Sequence, residues 1–226
     1  MPLTIAIDGP VGAGKSTISD AVADRLGILH LDTGAMYRAV GLCALQSGMD
    51  PRDEDAVCRL CMANGAQVDV RYENGAQITL LNGRDVTPLI RTQEVGQAAS
   101  AVSRYALVRK MLVQRQQEMA KSQPMLLDGR DIGTVVLPNA TLKIYLTATA
   151  EARANRRMLQ LREKGDETPF EEILAEVNAR DYQDTHREVD PLRQAEDAVL
   201  LDSSDLSFEE TVDAILHLAK EAEAKA

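Results

Sequence analysis

The sequence predicts an α/β fold built on a five-stranded parallel sheet, with a small antiparallel β insertion. Three observations predict it. Apolar runs ending in Asp or a turn recur at Leu3 to Asp8, Ile28 to Asp32, Met125 to Asp128, Leu142 to Leu146 and Ala198 to Asp202, separated by helical patterns. A glycine-rich turn, Gly9 to Gly14, joins the first run to an amphipathic helix marked by Ile18, Val22 and Leu26. Two Asn-Gly pairs, Asn74-Gly75 and Asn82-Gly83, interrupt the α/β alternation.

Bulk properties narrow the class. A chain of 226 residues, 45% of them hydrophobic, can bury a full core as one large domain, 1–226, carrying an insertion. No apolar run approaches the roughly 20 residues that span a bilayer, and the N-terminus enters a strand without a basic or h-region segment. No membrane role and a cytoplasmic location are expected. The net charge of −10 argues against a broad nucleic-acid surface, which would need clustered Lys and Arg. Small anionic ligands need only local positive charge, and Arg153, Arg156, Arg157, Arg162 and Lys164 supply it in one stretch. Cys58 and Cys61 lack a second pair or a nearby His, so the three cysteines read as buried thiols, two of them on a helix following Asp53.

The first strand leads into Gly9-Pro10-Val11-Gly12-Ala13-Gly14-Lys15-Ser16-Thr17. Glycines let successive N–H groups turn inward toward dense negative charge, Lys15 adds a point charge, and the helix beginning near Lys15 adds its unpaired N–H groups. All nine residues are therefore candidates for holding a nucleoside triphosphate, with the Ser16 hydroxyl suited to a magnesium ion.

The second strand ends in Leu31-Asp32-Thr33-Gly34-Ala35-Met36-Tyr37-Arg38, where Thr33, a helix start and Arg38 can hold a second anion. Residues 67 to 86 read as an antiparallel meander with two type I′ turns, and the inserted subdomain is placed at 63–100. A long helical pattern follows, whose apolar members Val108, Met111, Leu112 and Met119 should be core. After the third parallel strand, Asp128, Arg130 and Asp131 crowd one glycine-containing turn. Such crowding is costly unless a ligand uses it or the charges pair with one another. Thr168 and Ser207 each match the start of a capping box, and Asp202 reads as a structural cap. In the helix from Phe170, the apolar row Phe170, Ile173, Val177 gives way in phase to Arg180, Asp184 and Arg187. That stripe either faces a bound polar ligand or forms an ion-pair ladder along the helix.

These motifs, with Ile90-Arg91-Thr92 to Ala99-Ser100, Asp128 to Val136 and Arg180-Asp181 through Pro191-Leu192, resemble the bacterial cytidylate kinases over nearly the whole chain. Departures are small: Ser16-Thr17 stands where many related kinases have Gly-Thr, and Tyr105-Ala106-Leu107 where some members carry a proline. The resemblance implies a P-loop kinase three-layer fold with the phosphate-loop strand central, a monophosphate-binding insertion, and a helical lid at 153–168. It implies ATP and Mg²⁺, CMP or dCMP as acceptor, and a monomer. Ser100, Arg109, Asp131 and Arg187 would recognise the cytosine, Arg180 and Asp184 the sugar, and Thr33, Tyr37, Arg38 and Arg130 the remaining CMP and its phosphate, with Asp128 beside them. Lys15, Arg130, Arg153 and Arg157 would carry the positive charge used in transfer. A uridylate or sugar-acid kinase would lack the cytosine-reading set. A GTPase switch would need an Asn-Lys-x-Asp motif, which is absent from the sequence.

Overall fold

The computed structural model describes residues 2–163 and 165–224, so Lys164 of the arginine-rich stretch lies outside the described residues. In chain order the elements are β1 (Thr4–Asp8), α1 (Lys15–Leu26), β2 (Leu29–Asp32), α2 (Thr33–Gln46), α3 (Glu54–Met62), β3 (Val68–Glu73), β4 (Ala76–Leu81) and β5 (Arg84–Asp85). There follow α4 (Gln93–Val102), α5 (Ala106–Ala120), β6 (Met125–Gly129), a π-helical turn (Ile132–Val136), β7 (Leu142–Thr147), α6 (Ala150–Arg162), α7 (Phe170–His186), β8 (Val199–Asp202) and α8 (Phe208–Glu223). The five-stranded sheet runs β2-β6-β1-β7-β8, which puts the phosphate-loop strand at its centre as expected. The β1–β6, β1–β7 and β7–β8 pairings are parallel.

The chain divides into two compact units, one of residues 3–28 with 124–226 and one of residues 29–123. In the first, Ile5 and Ile7 of β1, Leu126 of β6 and Ile144 and Leu146 of β7 pack against Ile18 and Val22 of α1 and Val212 and Ile215 of α8. Each of these is almost wholly removed from water, and burying such a side chain contributes about 1.5–3 kcal/mol. A separate cluster joins α6 to α7 through Ala154, Ile173 and Val177, with Met158, Leu161, Phe170 and Leu174 around it. At α8 the Ser207–Glu210 capping box forms in both directions. The box expected at Thr168 does not: Thr168 bonds Asp166 through both its N–H and its hydroxyl, and α7 starts after Pro169 with no side-chain cap. Asp202 likewise caps no helix but accepts from the N–H and hydroxyl of Ser204, closing a turn.

In the second unit the meander is present as β3-β4-β5, antiparallel throughout. Asn74, Gly75, Asn82 and Gly83 all have positive φ, which is what two type I′ turns require. The 63–100 segment lies inside this unit. Helix α5 buries Val108 and Leu112 as expected, but it buries Arg109, Gln116 and Ala120 with them, whereas Met111 and Met119 are half-exposed. Two polar side chains occupy the inner stripe, so hydrophobicity alone misplaces it by part of a turn. Of the cysteines, Cys43 and Cys61 are buried but Cys58 is half-exposed. Burial pushes the Cys61 thiol up to about 11, away from the reactive thiolate.

Candidate functional site

The phosphate loop leaves β1 at Gly9, where a Cβ would fall 1.9 Å from the Leu146 carbonyl oxygen on the neighbouring strand. Only glycine lets the chain pass there. Helix α1 then begins at Lys15 with Gly14 as its N-cap. The Lys15 ammonium is buried and donates to the carbonyls of Gly9 (2.8 Å) and Pro10 (2.7 Å), folding the loop around its own cation. Burial, followed by the nearby Arg130 charge, lowers the Lys15 pKa to about 7, against the opposing pull of Asp128, Asp184 and Asp8. The Ser16 hydroxyl donates to Asp128 Oδ2 at 2.9 Å, which ties the loop to the end of β6.

The crowded turn after β6 resolves its charges by long-range pairing. Arg130 Nε donates to Asp184 Oδ2 of α7 at 2.7 Å, and Arg187 Nη2 meets Asp131 Oδ1 at 3.4 Å. Burial raises the Asp184 carboxyl, but Arg130, by charge and hydrogen bond, together with Arg180 and Arg187, outweighs it and holds the group below its usual range. The polar stripe of α7 is thus no simple ladder along the helix, since its central carboxylate pairs with Arg130. Arg187 also stands outside the helix: its backbone is extended at the C-cap, and its guanidinium donates to the Asp190 carbonyl. In the sequence Asp8 stands out only as the residue that ends the first strand. Its two carboxylate oxygens accept from the N–H groups of Ile132 and Gly133, each at 2.7 Å.

Arg153, expected on a lid, is buried at the start of α6. It donates to the carbonyls of Ala148 and Val11, both at 2.9 Å, and makes a two-pronged pair with Asp181 at 2.9 and 2.6 Å. Asp181 carried no expected role. Arg156 donates to the Ser203 carbonyl, and Arg157 is exposed.

In the second unit, Asp32 caps α2 by accepting from the Ala35 N–H at 3.1 Å and pairs with Arg91 at 2.8 Å. Arg38 donates to the carbonyls of Ile90 (2.9 Å) and Thr92 (3.3 Å), which sets its guanidinium at the start of α4. Arg109 is 2% exposed and lies over the Tyr37 ring, 5.8 Å from its centre. Thr33 and Ser100 are also buried. This unit therefore groups Thr33, Tyr37 and Arg38 on α2 with residues of α4 and α5. The first unit groups Lys15, Ser16, Asp128, Arg130, Asp131, Asp184 and Arg187.

Among the described residues no helix is long and apolar enough to cross a membrane, and no group of three or more His, Cys, Asp or Glu could hold a metal ion by itself. A family model described as cytidylate kinase matches residues 5–221. A cytidylate kinase of Caldicellulosiruptor bescii is 50% identical over 216 residues, covering 96% of this chain and 95% of that protein. Another, of Pasteurella multocida, is 48% identical over 212 residues, covering 93% and 92%. Among solved structures, an uncharacterized protein from Eubacterium ventriosum matches with a TM-score of 0.55 at 9% identity, over 96% of this chain and 98% of that one, a likeness of fold alone. With a family model spanning nearly its full length and relatives of this identity, the chain belongs to the cytidylate kinase family.

Proposed function

We propose that this enzyme transfers the terminal phosphoryl group of ATP to CMP or dCMP, giving ADP and CDP or dCDP. The observation that carries the reading is the cluster at the end of β6. There, the Arg130–Asp184 pair and the buried Asp131–Arg187 pair begin two and three residues after Asp128, which is itself bonded to the phosphate loop. Paired charges of this kind can exchange one another for a nucleotide's phosphate, sugar hydroxyls and base edge at little desolvation cost. Asp131, Arg187, Ser100 and Arg109 read the cytosine, Arg180 and Asp184 the sugar, and Thr33, Tyr37, Arg38 and Arg130 the rest of the monophosphate.

Residues 9–17 hold the triphosphate. The Ser16 hydroxyl and Asp128 carboxylate are hard oxygen donors 2.9 Å apart, a pair that fits Mg²⁺, an ion that takes one or two protein oxygens and completes its shell with phosphates and water. When bound there, the ion neutralises charge on the phosphates. The acceptor phosphate is already a nucleophile, so the protein's task is in-line positioning and positive charge, supplied by Lys15, Arg130 and Arg157, with Arg153 bracing the loop through Val11. Residues 63–100 serve as the acceptor-binding insertion. Residues 153–168 act as the lid, a reading supported by the separate small core that joins α6 to α7. The enzyme works as a cytoplasmic monomer on small nucleotides, with no nucleic-acid or membrane partner. Its net charge of −10 supports the former exclusion.

A coupled ADP-release assay offering CMP, dCMP, UMP and AMP at equal concentration tests the reading. Turnover concentrated on CMP and dCMP is expected; turnover on AMP or UMP alone refutes it. A proton linkage also follows from Lys15. Its native pKa of about 7 means that at pH 8.5 the ligand-free side chain is mostly neutral, and the triphosphate's charge draws a proton back onto it. Titration calorimetry of an ATP analogue in buffers of different ionisation enthalpy should show uptake of about one proton at pH 8.5, fading toward pH 6. Equal uptake by wild type and Lys15→Ala would rule Lys15 out as its source.

A further inference from the structure

We infer that Asp8 is a positioning residue for acceptor recognition, acting through the backbone of the turn that carries Arg130 and Asp131. The inference rests on the proposed role of that turn. Asp8 ends β1, and the next residue, Gly9, opens the phosphate loop. Its carboxylate is 3% exposed and spends both oxygens on successive backbone donors, Ile132 N–H and Gly133 N–H, at 2.7 Å each. Those are the two residues that follow Asp131. No strand ladder holds this backbone, because β6 ends at Gly129 and the register of β1 against β6 ends at the Asp8–Gly129 pair. Beyond that point the chain has turned away from the sheet, and the Asp8 carboxylate takes over where the ladder stops. The site is tight from the other side as well: a Cβ on Gly133 would fall 3.3 Å from Asp8 Oδ2 and 3.2 Å from Lys143 Cδ.

A buried carboxylate in this position is expensive. Burial and the neighbouring Asp131 charge raise its pKa to about 6, against the two N–H bonds and Lys15. An apolar residue of similar size would fill the space without that cost but would leave two buried N–H groups without acceptors. The geometry therefore assigns the carboxylate to aiming. With Ile132 and Gly133 fixed, Asp131 is delivered to Arg187 and Arg130 to Asp184; with either N–H released, the turn can rotate and both pairs lose their alignment.

Asp8→Asn keeps the shape and replaces one acceptor oxygen by a donor, so one N–H is lost. Steady-state kinetics at pH 8, where the wild-type carboxylate is ionised, should show KM for CMP raised at least tenfold and KM for ATP changed by less than threefold. Gly133→Ala, which crowds the same contact while leaving Asp8 in place, should raise KM for CMP in the same direction. In an Asp131→Asn background the Asp8→Asn effect on KM for CMP should be smaller than in the wild type, because one of the two groups being aimed is gone. Equal changes in both KM values, an additive double variant, or a lowered Tm with KM for CMP unchanged in both Asp8→Asn and Gly133→Ala would overturn the inference. An Asp131→Asn single variant with normal KM for CMP would instead overturn the acceptor reading on which it rests.

Discussion

Lys15→Ala lowers kcat by at least about a hundredfold, the scale on which one preorganised electrostatic donor acts, and leaves the fold at least as stable as the wild type. The second half follows from the sign of the Lys15 shift. The native pKa is about 7 and the unfolded value is the ordinary 10.5, so the unfolded chain binds the proton more tightly. The cost of burying the ammonium is therefore present in full below pH 7. It is relieved as pH rises from 7 toward 10.5, where the native state sheds the proton first. Removing the side chain should raise Tm most at pH 6 and progressively less at higher pH. Single-turnover kinetics and melting curves at pH 6 and 9 check both parts. A variant with near-normal kcat would remove Lys15 from the transfer step, and a Tm that falls at pH 6 would show that its bonds to Gly9 and Pro10 outweigh the buried charge.

Arg130→Ala strikes the fold and the site together. It leaves Asp184, whose side chain is 7% exposed, without its 2.7 Å partner, and stranding one member of a buried pair costs about 3 kcal/mol. Arg180 and Arg187 add positive charge near Asp184 and moderate that loss. Activity should fall further than stability, with kcat/KM for CMP down at least about a hundredfold, because the planar guanidinium is the group proposed to clasp the acceptor phosphate. The two effects separate in a double variant. Arg130→Ala with Asp184→Asn removes the stranded charge and should recover much of the lost stability while recovering none of the activity. Denaturant melts alongside CMP kinetics make the comparison. If the double variant is no more stable than Arg130→Ala alone, the pair is not what holds α7 against the turn after β6. Arg130→Lys, which restores charge without the fork, should restore stability better than it restores KM for CMP.

Local features were legible because their causes are local. The phosphate loop announces itself through glycines at fixed offsets after an apolar strand. The type I′ turns announce themselves through Asn-Gly, and α8 through Ser207 and Glu210. Each of these is decided within a few residues by steric or capping chemistry. Misreadings occurred where a neighbour in space overrode the local pattern. Helix α5 turned Arg109 and Gln116 inward in place of Met111 and Met119, and α7 ended before Arg187, which meets Asp131, whereas Thr168 lost its helix end to a local rival, Asp166, two residues away. The roles of Asp8 and Asp181 were hidden for the same reason, since nothing near either residue in sequence names its partner.

The sequence by itself therefore determined the parallel sheet with its antiparallel insertion and the phosphate loop, written in short-range periodicity and spacing, while its motifs carried the resemblance to the family. Only the tertiary structure decided which charge meets which. Arg130 finds Asp184 across 54 residues and Asp8 finds Ile132 across 124, contacts created by strand order and helix packing. A buried charge must be paired wherever the fold brings a partner, and the energy that selects that partner depends on distance in space, which sequence separation does not encode.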